Sequence, residues 1–144
     1  MTVAYVDTSA LAKRFLGEAG RDEFNTWYAK ARPVWTSELA RLEFDSLLAR
    51  LRSQAALAGP EAGAIEDAMA AEAGIWFLIA DLQSVDIASA RQLVRQFGGI
   101  GLRSLDALHL ATALRLGAGE MATADRALAR AAEAAGVSVV WFGA

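Results

Sequence analysis

The sequence has no cysteine, one histidine, two prolines and only two lysines (Lys13, Lys30) among its 144 residues. Without cysteine, structural disulfides, thiol catalysis and cysteine-ligated zinc are excluded. The lone His109 excludes a histidine-rich metal site and a catalytic histidine pair. Long hydrophobic runs are missing too: the apolar stretch Ala73 to Ala80 is far shorter than the roughly 20 residues a membrane helix needs. The first residues carry Asp7 and nothing basic, so no secretory signal and no membrane partner are expected, and the chain reads as a cytoplasmic domain. Internal repeats, low-complexity linkers and domain boundaries are also missing, which predicts a single domain over residues 1–144.

Apolar residues make up 55% of the chain and charged ones 22%, enough for a packed core and too apolar for disorder. Fourteen basic residues against 17 acidic ones leave a net charge of −3. That balance argues against a dedicated electrostatic nucleic-acid binder, but it leaves room for a nuclease, whose own active site is acidic. Twelve of the basic residues are arginine. Arginine suits bidentate phosphate contacts, although with 33 alanines present a GC-rich genome explains the same bias.

Hydropathy patterning predicts alternating strands and helices. A strand over Val3–Val6 stops at Asp7-Thr8-Ser9, and a helix over 10–16 ends at Gly17. A second helix covers 21–31. The short strand Pro33-Val34-Trp35 precedes a long helix, capped by Thr36 or Ser37 and running to about Ala58. Gly59-Pro60 opens the next helix, to about Ala73. A strand over 75–79, a helix over 87–97 and a turn over 98–101 follow. Ser104 caps a helix ending at Gly117. A strand at 121–123, a helix from Asp125 to Ala135 and a strand over 137–141 complete the chain. Apolar strands alternating with helices predict an α/β fold, a three-layer α/β/α sandwich around a mainly parallel sheet. Ligand sites in such sheets lie beyond the carboxyl ends of the strands, where strand order reverses.

Four acids fall where that rule directs attention. Asp7 follows the first strand, and Asp125 follows the strand at 121–123; each is equally a helix N-cap. Asp106 lies in the first turn of its helix, where the macrodipole also favours an acid. Glu43 interrupts a row of leucines at 39, 47 and 51, where a carboxylate needs a buried ion pair, such as one to arginine, or a metal. Taken together, such carboxylates repel one another unless a divalent cation neutralises them. Oxygen-only ligands select Mg²⁺ or Mn²⁺, and such an ion can activate water for phosphodiester hydrolysis.

The surrounding residues carry a resemblance. Val6-Asp7-Thr8-Ser9-Ala10-Leu11 resembles the opening of PIN-domain nucleases, especially VapC-like toxins. Thr36-Ser37-Glu38-Leu39-Ala40-Arg41-Leu42-Glu43 resembles their second motif, with Glu43 as the matching acid. The stretch from Leu105 to Ala113 looks like the third, and Thr123-Ala124-Asp125 the fourth. The resemblance implies a PIN-like fold and a Mg²⁺- or Mn²⁺-dependent endoribonuclease, the toxin of a toxin–antitoxin pair. It also implies Asp7, Glu43, Asp106 and Asp125 as the metal-binding, catalytic quartet, an RNA substrate, a homodimer, and a small antitoxin whose tail covers the site.

Other residues carry less. His109 is expected to be a packed, hydrogen-bonded core histidine. Thr8, Ser9 and Thr123 serve either the metal's waters or local caps. Lys13, Arg14, Arg41, Arg103 and Arg126 lie near the motifs and are either phosphate contacts or solvated charges. Gly99-Ile100-Gly101 with Ser104 fails the dinucleotide pattern. Trp27, Trp35, Trp76 and Trp141 are expected in core or interface rather than stacked on bases. Two other readings remain: an aspartate-based phosphatase with Asp7 as nucleophile, disfavoured by Ser9 two residues on, and a non-catalytic protein- or RNA-binding module.

Overall fold

The computed structural model describes residues 2–31 and 33–144. Its strands are β1 (Val3–Val6), β2 (Val34–Ser37), β3 (Phe77–Ala80), β4 (Ala118–Thr123) and β5 (Ser138–Trp141). The helices are α1 (Thr8–Leu16), α2 (Arg21–Ala31), α3 (Glu38–Ser53), α4 (Gly59–Glu72), α5 (Ser84–Phe97), α6 (Ser104–Arg115) and α7 (Arg126–Ala134), with a 3₁₀ turn at Gly98–Ile100. Every strand pair is parallel, in the order β3-β2-β1-β4-β5.

The alternation of side chains along β1 builds the three layers. Ala4 and Val6 pack on one face with Leu11, Phe24 and Tyr28 of α1 and α2. Tyr5, between them in sequence, points to the other face and joins Leu93, Leu110 and Leu128 of α5, α6 and α7. Met121 and Ala122 of β4 divide between the two faces in the same way. Strands buried on both faces explain why they read as apolar runs rather than alternating ones. Strand order reverses at β1, which lies between β2 and β4, so the fold opens its crevice at the carboxyl ends of β1 and β4.

Several predicted boundaries move. The long helix α3 stops at Ser53 rather than Ala58. Ala55 takes the left-handed conformation (φ 54°), and the N–H groups of Ala55 and Ala56 turn back to the carbonyls of Arg52 and Leu51. An alanine gives no sequence signal of that ending. The strand expected from Ile75 starts at Phe77, because Ile75 and Trp76 form a turn on the Glu72 carbonyl, with Gly74 at φ 83°. Helix α5 begins three residues early, at Ser84, with the Asp86 carboxylate accepting from the Gln83 N–H. Ser104 is the first residue of α6 rather than its cap, and the Ser37 hydroxyl makes no capping bond to α3. β4 extends back to Ala118 through Gly119 and Glu120, poor strand formers: Ala118 pairs with β1, Glu120 with both β1 and β5, and Gly119 is the extra residue where the register shifts. No helix among the described residues is long and apolar enough to cross a membrane.

Candidate active site

Asp7 stands where β1 gives way to α1. Its backbone is extended and its carboxylate caps the helix, accepting from the Ala10 N–H at 3.0 Å. The same carboxylate is 3% exposed and accepts from the hydroxyls of Ser9 (2.8 Å) and Thr123 (2.6 Å). Ser9 Oγ in turn accepts from the Ala124 N–H at 2.9 Å, and Thr123 Oγ1 from the Asp125 N–H at 3.0 Å. Two hydroxyls thus lace the carboxyl ends of β1 and β4 together around Asp7. Burial pushes the Asp7 carboxyl above its ordinary range, against the pull of His109, Thr123, Ala10 and Ser9.

Asp125, two residues beyond β4, caps α7 with its carboxylate on the Leu128 N–H at 2.8 Å. Capping and membership of an acidic cluster are therefore not alternatives for Asp7 and Asp125, since one carboxylate does both. Asp106 projects from the first turn of α6 with no hydrogen-bond donor on its carboxylate among the described residues. Burial, and then the charges of Asp125 and Asp7, raise its pKa to about 6, with His109 and Arg103 pulling the other way.

Glu43 sits in the gap of the row Leu39, Leu47 and Leu51 expected for it, of which Leu39 is buried and the other two half-buried. The buried row of α3 is Ala40, Phe44 and Leu48, and Glu43 lies on its flank, a quarter exposed. Its partner is not an arginine. Glu43 Oε1 meets His109 Nε2 at 2.5 Å and accepts from the Thr8 hydroxyl at 2.8 Å. Burial works to raise the Glu43 carboxyl, but His109 and Thr8 outweigh it and hold it below the usual range. His109 is buried as expected, and its Nδ1 lies 2.7 Å from the Tyr5 hydroxyl. Burial raises the Tyr5 phenol far above its ordinary value, so it stays neutral. Sequence reasoning missed Tyr5; the one signal was a phenol in an otherwise aliphatic strand.

Asp106 thus feels the charges of Asp125 and Asp7, and Glu43 joins the cluster through Thr8 and His109. The same imidazole opposes the rise at Asp7 and Asp106 and helps to lower Glu43. Among the described residues, no three of these groups stand as a ready-made coordination shell. The donor set is nevertheless one of hard oxygens with excess negative charge, and the bare, half-buried Asp106 is the place where a cation would relieve it. The residues therefore fit a hard divalent ion.

The basic side chains near the motifs sort themselves. Arg14 is locked between Tyr28 and Trp76 and paired to Glu72, and Lys13 donates to the Ala19 carbonyl. Arg41, Arg103 and Arg126 are exposed, with Arg126 over the Trp141 ring. Trp27 packs on Phe24 and Phe142, Trp76 on Tyr28, and Trp35 against the core.

An all-parallel sheet with clustered carboxylates beyond its central strands defines a class of acidic α/β domain, and comparison with known proteins gives the class its name. The PIN domain family matches residues 4–134, and the chain belongs to that family. Within it, the chain is similar to Ribonuclease VapC46 of Mycobacterium tuberculosis, 32% identical, over 97% of this chain and 98% of that protein. Among solved structures it is similar to VapC20 of Mycobacterium tuberculosis, described as a sarcin–ricin loop cleaving toxin (TM-score 0.70, 18% identity, 96% and 98% of the two chains). It is also similar to FitAcB of Neisseria gonorrhoeae (TM-score 0.72, 19% identity, 95% and 96%). A third similar structure is DNA-bound VapBC of Salmonella typhimurium (TM-score 0.68, 15% identity, 99% of each chain).

Proposed function

We propose that the protein is a divalent-metal-dependent endoribonuclease and the toxin of a toxin–antitoxin pair. The observation that carries this reading is the uncompensated charge at the switch point. Asp106 has no donor of its own among the described residues, and burial, with the charges of Asp125 and Asp7 added, raises its carboxyl to about 6. In a PIN domain 32% identical to a named ribonuclease, that cluster is best read as a cation site for phosphodiester hydrolysis. Asp7, Glu43, Asp106 and Asp125 would hold Mg²⁺ or Mn²⁺, which when bound supplies an activated water and neutralises charge on the reacting phosphate.

The chain's own residues supply position and field. Ser9, Thr123 and the Ala10 N–H hold Asp7 at the end of β1. Thr8 and His109 hold Glu43 across from it. Exposed Arg103, close enough to Asp106 to perturb it, is placed to take a neighbouring RNA phosphate. Asp7 as a phosphatase nucleophile is not favoured, because its buried oxygens already hold three donors.

An antitoxin partner is supported by the toxin–antitoxin complexes among the similar folds, and its tail would cover the acidic site. A homodimer is supported by exposed Ile87 of α5, which with Val94 and Leu108 lines an apolar groove between α5 and α6. RNA as substrate assigns the work to the cytoplasm.

The test is cleavage of a mixed tRNA and rRNA pool by the purified, antitoxin-free protein. It is run with Mg²⁺ or Mn²⁺, with EDTA, and beside Asp7→Asn and Asp106→Asn. Discrete products that require the metal and both carboxylates are expected. Unchanged cleavage by a folded Asp7→Asn variant, or cleavage indifferent to EDTA, would overturn the assignment.

A further inference from the structure

His109 is buried in the middle of α6, and both of its ring nitrogens are engaged. The carboxylate of Glu43 offers only acceptors, so the nitrogen facing it, Nε2, must carry hydrogen whatever the charge of the ring. On the opposite side Nδ1 meets the hydroxyl of Tyr5, which points from β1 towards α6 and away from α1. Three elements are tied in a line: β1 through Tyr5, α6 through His109, and α3 through Glu43. Thr8, the first residue of α1, closes the line by donating to the same Glu43 oxygen.

Glu43 belongs to a helix that otherwise has no reason to aim a carboxylate at the crevice. It lies beside the buried stripe, and a quarter of its side chain is exposed, so a free rotamer turned to water is open to it. Two donors on one oxygen, Oε1, hold it inward and leave Oε2 without a donor among the described residues. We propose that His109 is a positioning residue: its Nε2–H, fixed in place by the Tyr5 hydroxyl, holds Glu43 Oε1 so that Oε2 faces the metal-binding crevice. The inference rests on the nuclease reading above, in which Glu43 is a ligand. It makes the third motif bipartite, Asp106 acting on the ion directly and His109, one turn on, acting through a different helix.

The experiment combines a metal titration with a metal-free measurement. Mn²⁺ affinity is measured by calorimetry for the full chain and for His109→Leu, His109→Gln and His109→Asn, with thermal melting to establish folding. The glutamine amide reaches as far as Nε2 and the asparagine amide does not. The leucine and asparagine variants should lose about 10–100-fold in Mn²⁺ affinity, the range for removing an outer-shell partner, and glutamine should recover most of it. Should His109→Leu not fold, the glutamine-against-asparagine difference decides, and equal affinities in those two overturn the proposal.

In EDTA, ring ¹⁵N shifts of His109 should report a protonated Nε2 bonded to a carboxylate, and the signal should change in Glu43→Ala. An unprotonated Nε2, or a signal indifferent to Glu43→Ala, overturns the proposal as well. Wild-type protein that binds Mn²⁺ while a folded His109→Leu binds it equally well overturns this inference and leaves the nuclease standing. Wild-type protein that fails to bind Mn²⁺ while its ring signal is intact overturns the nuclease reading instead.

Discussion

A single aspartate shows what the site costs the fold. Asp106 keeps its proton up to about pH 6 in the native protein, whereas in an unfolded chain it ionises near pH 3.9. Between those values the native state binds more protons than the unfolded one, so stability falls as pH rises, and the loss is complete above about pH 6. Asp106→Asn should therefore stabilise the EDTA-treated protein by about 1–2 kcal/mol at pH 7.5, a figure discounted because the carboxylate is partly solvated and screened. The gain should vanish near pH 4. Urea denaturation at the two pH values checks this, and a variant less stable at pH 7.5 contradicts it. Glu43 shows the limit of reading residues singly. Its place among leucines marked it as needing a partner, but the partner, His109, is 66 residues away in sequence. Neither periodicity nor charge on α3 points there, and the match exists only once the fold brings His109 of α6 to Glu43.

At the scale of elements, signals with a local cause were legible and those with a distant cause were not. Gly17 ends α1 in the left-handed conformation, as a glycine after an apolar run announces. Helix α2 has the bounds its pattern predicts. The end of α3 is different, because Ala55 adopts the conformation in which glycine is favoured. Its Cβ is strained there, and Ala55→Gly should relieve that strain by about 0.5–1 kcal/mol after the greater chain entropy of glycine is subtracted. A raised thermal midpoint with an unchanged spectrum is the expected result; a lowered one would show that Ala55 carries packing the backbone angle does not reveal. β4 was read as three residues and is six, since Ala118 and Glu120 are strand by virtue of the partners beside them and Gly119 is carried between them at a register shift.

The whole molecule divides its apolar residues between the two faces of one sheet, which is why alternation of elements sufficed to predict the layers. Phe24 anchors one face, buried, stacked on Tyr28, tilted against Trp27 and edge-on to Phe142. Phe24→Ala should cost about 3–5 kcal/mol, a large share of the roughly 5–15 kcal/mol that holds a domain folded. The urea midpoint should fall with little change in slope, and a midpoint shift worth under 1 kcal/mol would mean that this face is not one packed unit. The order of the strands has a further consequence, in time rather than in space. β1 is made first and sits at the centre, but its neighbour β4 is synthesised more than a hundred residues later. Asp7 leaves the ribosome long before Thr123 and Asp125 exist to meet it. A half-made chain therefore carries two of the four acids, Asp7 and Glu43, but not the arrangement that makes them a site, and the crevice comes into being only once β4 and Asp125 have been made.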